Sequence, residues 1–119
     1  MLSLQLPALT WVFLIGTPIL ISLGQLLFKV VGSRWGPGRP IQEMLLDPYL
    51  FGAMVVYAIA SFTWIYALRT APLGLAYTFN ALGFIVVPAL SLMVFGETLD
   101  WRYALGVTLI IAGMLIIHL

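Results

Sequence analysis

Cysteine is absent, histidine occurs once, and charge is scarce: of 119 residues, 5 are Lys or Arg and 4 are Asp or Glu. Without cysteine there is no disulfide framework and no thiolate metal site, and the redox compartment cannot be read from the chain. A net charge of +1 gives no basic patch of the kind that grips nucleic acid. The lone His118 falls next to the last residue, where a solvated interfacial side chain is expected rather than a metal ligand. So few polar groups supply no nucleophile-and-base pair and no metal cluster, so the chain is not expected to be an enzyme or to carry a cofactor. A signal peptide is not evident either. The opening MLSLQLPALTW lacks a basic n-region and a small-residue cleavage site, and the first apolar segment is expected to stay in the mature protein.

What the chain has instead is apolar surface. Hydrophobic residues make up 63% of it and charged residues 8%, with a mean hydropathy of +1.14, more apolar surface than a soluble domain this short could cover. A hydrocarbon core of roughly 30 Å takes about 20 apolar residues in a helix. Four such lengths fill the sequence, at about 9–31, 48–68, 73–95 and 101–118. They are continuously apolar where a barrel strand would alternate, so helices are expected. The fold class that follows is an all-α membrane protein, one domain over 1–119 with four transmembrane helices.

Local chemistry marks the boundaries. Asp47 before Pro48 is an N-cap residue followed by proline at the first helical position. Ala71-Pro72 closes the link after Arg69 and opens span three, and either Thr98 or Asp100 can cap span four. In the longest connection, 32–47, Gly36-Pro37-Gly38 is a turn. After it, Ile41, Met44 and Leu45 are spaced either for a short amphipathic surface helix or for an interfacial loop that buries three apolar side chains. Lys29, Arg34 and Arg39 beside the first loop and Arg102 beside the third outnumber Arg69 in the second. The positive-inside tendency then puts loops one and three in the cytoplasm and both termini outside.

Polar residues within spans cost free energy unless they face a partner or a cavity, so function is sought there. Pro18, Ser22, Gln25 and Lys29 step by four, three and four residues along one face of span one. Tyr57, Ser61 and Trp64 keep a similar rhythm in span two, and Tyr77 and Asn80 lead into Gly83, Phe84 and Pro88 in span three. Each has an ordinary alternative: Lys29 near a span end can snorkel to the headgroups. Gln25 and Asn80 can act as interhelical glue, and Tyr57, Trp64 and Tyr77 as packing or belt aromatics. Gly106 and Gly113, seven apart, give span four a small-residue face that lets another helix approach.

The segments GQLLFK, APLGLAYTFNALG, FGETLDW and ALGVTLIIAGMLIIHL, in this order, resemble the small four-helix members of the drug/metabolite transporter superfamily, over essentially the whole chain. Two branches compete. The small multidrug resistance branch consists of antiparallel dimers that exchange cationic drugs for protons. The other comprises the small subunits of the flippase for aminoarabinose linked to undecaprenyl phosphate. The multidrug pattern places a glutamate two turns before its lysine, where this chain has Ile21, and a tryptophan three residues after the span-three tyrosine, where it has Asn80. Without the carboxylate, no group in span one can trade a proton for a cation. Gly24, Gln25 and Lys29 are instead similar to the flippase subunits, and a lysine suits an anionic phosphate.

The resemblance implies a flippase moving a polyprenyl-phosphate-linked sugar or related anionic lipid across a bacterial inner membrane. Lys29 would neutralise the phosphate, and Arg34 or Arg39 would make a first electrostatic contact. Gln25, Asn80 and Tyr77 would hydrogen-bond the headgroup, with Ser22, Tyr57 and Trp64 beside them. One four-helix protomer encloses little space, which implies a homodimer or a heterodimer with a similar small subunit, joined through Gly106 and Gly113. Glu97 is expected to terminate span three at the interface rather than to carry protons. Two other classes stay open: a small-solute or cationic drug exporter of the same superfamily, and a non-transporting membrane subunit of a glycolipid-modifying complex.

Overall fold

The computed structural model describes residues 6–119, so the first part of the N-terminal stretch weighed as a signal peptide lies outside the described residues. Its elements are α1 (Ala8–Arg34), α2 (Ile41–Leu45), α3 (Pro48–Leu68), α4 (Leu73–Tyr77), a 3-10 segment (Thr78–Leu82), α5 (Gly83–Phe95) and α6 (Trp101–Ile117). Helices α4 and α5 with the 3-10 segment between them run as one rod, Leu73–Phe95. That rod, α1 and α3 are long and apolar enough to cross a membrane. The fourth apolar helix, α6, has 17 residues and is about 25 Å long at about 1.5 Å per residue. The protein is therefore an all-helical membrane protein with three helices of membrane length and one shorter apolar helix.

The boundaries follow the sequence chemistry. The Asp47 carboxylate accepts from the Tyr49 N–H at 2.9 Å with Pro48 at the first helical position, so the start of α3 is capped twice over. Pro72 precedes α4. Of the two candidates for α6, Asp100 is the cap, accepting from the Tyr103 N–H at 3.0 Å. The Gly36–Arg39 turn closes with an Arg39 N–H to Gly36 carbonyl bond of 3.2 Å, and Gly38 supplies its φ of +80°. The short surface helix is present as α2, with Ile41 and Leu45 exposed and Met44 half-buried.

Lipid is as apolar as leucine, so close packing and hydroxyl bonds hold these helices together rather than hydrophobic burial. The α1–α3 pair uses both. Ala53, Ala60 and Ala67 recur every seven residues along α3, all buried, and this stripe of small side chains brings α3 close to α1. The Thr17 and Thr63 hydroxyls bond at 2.7 Å, and those of Thr10 and Thr70 at 3.0 Å. At the same end Leu14, Ala67, Ala71, Ala76 and Phe79 form a core, ringed by Trp11, Phe13 and Trp64. Trp11 meets Phe79 edge-on at 5.9 Å between ring centroids.

Helix α6 returns toward that end and leans on the 3-10 segment. Here the structure corrects the expectation for His118. Its Nε2 bonds the Thr78 hydroxyl at 2.7 Å and its ring packs on Phe79 at 4.7 Å, so it is a packing residue rather than a solvated one. The physical reason is that α6 ends level with the 3-10 segment, which presents a hydroxyl and an aromatic ring to whatever closes the helix. Neither α5 nor α6 contains a fully buried residue.

Candidate functional site

The polar face of α1 opens onto a groove of ≈ 510 Å³ between α1, the Leu73–Phe95 rod and the start of α6. Pro18, Ile21, Ser22 and Gln25 form the α1 wall, Tyr77, Asn80, Gly83, Phe84, Val87 and Pro88 the rod wall, and Tyr103 the α6 side. The 3-10 segment explains part of this wall. Side chains three apart eclipse in that tighter winding, which turns Tyr77 and Asn80 to the same side. A second hollow of ≈ 200 Å³ shares Ser22, Gln25 and Val87 with the first and leads out to Lys29, Ser91 and Glu97.

Gln25 is held in place by α3. Its side-chain amide N–H donates to the Tyr57 hydroxyl at 2.7 Å. Gly24 makes this possible, since a Cβ there would stand 2.5 Å from the Tyr57 ring. Phe28 stacks on the same ring at 5.0 Å, with the two planes 17° apart. The Gly24-Gln25 pair thus lets one aromatic side chain lie across α1 and anchor the amide beside it. Ser22 is buried and donates to the Pro18 carbonyl one turn back, so its hydroxyl proton is already engaged.

At the mouth, Lys29 Nζ stands 3.8 Å from Glu97 Oε2, with both side chains about half exposed. The Ser91 hydroxyl donates to the other carboxylate oxygen of Glu97. Gly96, in the left-handed conformation at φ +67°, ends α5 and turns the chain so that Glu97 follows directly. Glu97 thus follows the end of α5 and is the counter-ion of Lys29, the one cation lining the second hollow.

Not every residue named from the sequence lies here. Trp64 packs against the Leu14–Phe79 core, a structural place away from the groove. Ser61 donates to the Tyr57 carbonyl on its own helix and is exposed. Arg34 pairs with the buried Asp47 at 3.3 Å and covers the Tyr49 ring, while Arg39 pairs with Glu43 at 3.2 Å. Both arginines stand outside the two hollows, fastening loop one to α2 and α3. Gly106 and Gly113 have no atom within 4 Å of where a Cβ would be, so in a single chain the small-residue face of α6 is open.

The structure adds Tyr103. Pro88 has no N–H to offer the carbonyl four residues back, and the Tyr103 hydroxyl donates to that Phe84 carbonyl at 3.0 Å. The sequence signal was the proline itself, because an orphaned carbonyl in a membrane helix calls for a donor. Nothing in the one-dimensional pattern singled out Tyr103 as that donor. A further groove of ≈ 620 Å³, almost wholly apolar, runs between α5 and α6 and shares Phe84, Pro88 and Tyr103 with the first.

Taken together, the site has one cation and one carboxylate at its mouth, uncharged hydrogen-bonding groups within, and an apolar groove alongside. Ile21 lines the interior, and the α1 wall contributes no acid. No cluster of residues that could hold a metal occurs among the described residues.

Comparison with known proteins fits this geometry. The chain is 39% identical to a probable 4-amino-4-deoxy-L-arabinose-phosphoundecaprenol flippase subunit ArnE of Erwinia tasmaniensis, over 78% of this chain and 82% of that protein. It is 34% identical to a probable subunit ArnF of the same flippase in Sodalis glossinidius, over 84% and 83% of the two chains. Against the Pseudomonas aeruginosa ArnF the identity is 33%, over 91% and 83%. No solved structure gives a significant match. Residues 5–119 match the EamA-like transporter family, and with this match over nearly its whole length the chain belongs to that family.

Proposed function

We propose that this chain is one subunit of a flippase that moves a polyprenyl-phosphate-linked sugar between the leaflets of the bacterial inner membrane. The observation that carries the proposal is the groove's charge arrangement: a cation at the mouth, hydrogen-bonding but uncharged groups inside, and Ile21 where a cation exporter needs a carboxylate. Lys29 takes the phosphodiester, and Gln25, Asn80 and Tyr77 bond the sugar hydroxyls. The prenyl chain stays in lipid along the apolar α5–α6 groove, which shares three residues with the polar one. Arg34 and Arg39, already paired, meet the headgroup only by exchanging those partners.

In this proposal α6 crosses the bilayer as a fourth span, shorter than the other three, and the whole chain is a single four-helix domain. Loops one and three share a side, the side where Lys29 meets Glu97, in keeping with the cytoplasmic orientation expected from Lys and Arg. The open Gly106–Gly113 face seats a second small subunit, a copy of this chain or a similar one, because one protomer leaves its grooves open to lipid.

The test is transport of fluorescent polyprenyl-phosphate sugar across proteoliposomes. Lys29→Ala and Lys29→Glu are expected to lose at least about tenfold in rate while still inserting, and Lys29→Arg to retain part of it, since a phosphate needs a nearby cation. A lysine that only snorkels tolerates all three, and full activity in the alanine variant rejects the proposal.

A further inference from the structure

Helix α6 is fastened by different means at its two ends, and from this we infer that it is a hinged clamp over the apolar α5–α6 groove, closed by a latch between His118 and Thr78. The latch itself rests on geometry, and its use in transport rests on the flippase reading above.

At its start α6 is held firmly. The link Gly96–Asp100 ties it to α5, Asp100 caps it by accepting from the Tyr103 N–H, and the Tyr103 hydroxyl donates to the Phe84 carbonyl at 3.0 Å. At the other end, among the described residues, one polar contact fastens it: His118 Nε2 meets the Thr78 hydroxyl at 2.7 Å, with the imidazole on the Phe79 ring. Between the two ends runs the groove of ≈ 620 Å³, with Ile85, Ala89 and Leu92 on the α5 side and Val107, Ile111 and Leu115 on the α6 side. Neither wall contains a fully buried residue, and in lipid apolar side chains gain nothing by closing on one another. Beyond Leu115 the clamp is therefore held by His118 on the 3-10 segment.

The hydrogen bonding makes this contact easy to release. The Thr78 hydroxyl donates its proton to the Leu75 carbonyl at 2.6 Å, so it can only accept from His118. Nε2 then carries the imidazole proton, and in the neutral ring Nδ1 is a bare acceptor. Nδ1 is buried without a hydrogen-bond partner among the described residues. A buried acceptor left unmet opposes the latched state, and release returns it to water. The latch makes one bond and forgoes another, so what fills the groove can tip the balance.

Its position gives the latch a second consequence. Thr78 opens the 3-10 segment, and its neighbours Tyr77 and Asn80 line the polar groove. A short 3-10 stretch inside a longer helix is a natural hinge. His118 pins that stretch, and when α6 lets go Tyr77 and Asn80 are released with it. One contact thus couples the apolar groove, which takes the prenyl chain, to the wall that bonds the headgroup. A chain entering the apolar groove pushes α6 off Thr78, and an empty groove lets the latch close.

The experiment uses the absence of native cysteine to place spin labels in pairs. Leu73→Cys with Ile116→Cys reports the latch end and Met93→Cys with Leu105→Cys the hinge end, all four positions being exposed. Labelled protein is diluted into unlabelled protein in nanodiscs, so that pulsed spin resonance reads distances within one chain. With the latch intact, the Leu73–Ile116 pair is expected to show a main short distance and a minor longer one. Thr78→Val and His118→Phe keep the shapes and remove the bond, and each is expected to raise the longer population at least about threefold. The double variant adds nothing further, because both changes break the same bond, and Thr78→Ser behaves as wild type. The Met93–Leu105 distance stays constant throughout. An unchanged Leu73–Ile116 distance in Thr78→Val and His118→Phe overturns the inference, as does movement of both pairs together, which is general loosening rather than a hinge. Bridging Leu73→Cys to Ile116→Cys with a short reducible thiol linker locks the clamp, and transport of the fluorescent polyprenyl-phosphate sugar is expected to fall at least about tenfold and to return on reduction. Full transport in the bridged form overturns the clamp and leaves the flippase reading standing. Absence of transport in the wild type rejects the flippase reading, and the two distances still decide the clamp.

Discussion

The two halves of this bundle are built by different means. Helices α1 and α3 meet through the Ala53–Ala60–Ala67 stripe and two threonine pairs, with fully buried side chains on both. Helices α5 and α6 contain no fully buried residue, and a groove of ≈ 620 Å³ separates them. Inside a membrane an apolar side chain gains nothing by leaving lipid for protein, so only shape and hydrogen bonds drive association. The first half has both. The second keeps its small-residue face and its groove open, so it is the half available to a ligand and a second subunit.

The strongest way to break this contrast is to overpack the closed half. Ala60→Leu puts a large side chain where the native one is 2% exposed, and it is expected to cost about 1–3 kcal/mol and to lower the folded fraction sharply in unfolding by denaturing detergent. Gly113→Leu on α6, where no atom lies within 4 Å of the Cβ position, is expected to cost far less in the same measurement. Equal damage from the two would erase the distinction between the halves.

Next in size is the effect on assembly. Gly106→Leu and Gly113→Leu are expected to reduce crosslinking between subunits in membranes severalfold, because a leucine holds the approaching helix off. An undiminished crosslink in both variants would move the interface away from the small-residue face.

A smaller effect is expected where the closed half borders the groove. Gly24→Ala forces the Tyr57 ring from its place across α1, since the new Cβ would sit 2.5 Å from it, and Gln25 then loses its partner. Transport should fall while the fold persists. Tyr57→Phe, which removes only the hydrogen bond, should have a milder form of the same defect, near the average of about 0.6 kcal/mol for polar bonds between membrane helices. A Gly24→Ala variant with normal transport would show that Gln25 does not depend on its anchor.

The least effect is expected from Tyr103→Phe. It leaves the Phe84 carbonyl without the donor that Pro88 cannot supply, and lipid offers no replacement. A local opening of α5, seen as faster amide exchange over residues 84–88, is the expected signature. Exchange identical to the wild type would mean that another group satisfies the carbonyl.

What the sequence determined by itself is whatever one helix expresses alone. Continuous apolar lengths made α1, α3 and the Leu73–Phe95 rod identifiable as membrane helices, because hydrocarbon thickness fixes the length and the backbone must bond internally. Caps at Asp47 and Asp100, the Gly38 turn and the polar stripe of Pro18, Ser22 and Gln25 were legible for the same reason: each depends on neighbours at most four residues away. Only the tertiary structure decided which faces meet. Trp64 has the helical spacing of a site residue, yet α3 turns it into the Leu14–Phe79 core. His118 looked like a solvated chain end until the 3-10 segment was placed beneath it. The pairing of Lys29 with Glu97 and of Tyr103 with Phe84 spans 68 and 19 residues, and no local pattern encodes such distances. Helix formation is a short-range property of the chain, whereas the charge balance of the groove belongs to helices brought together.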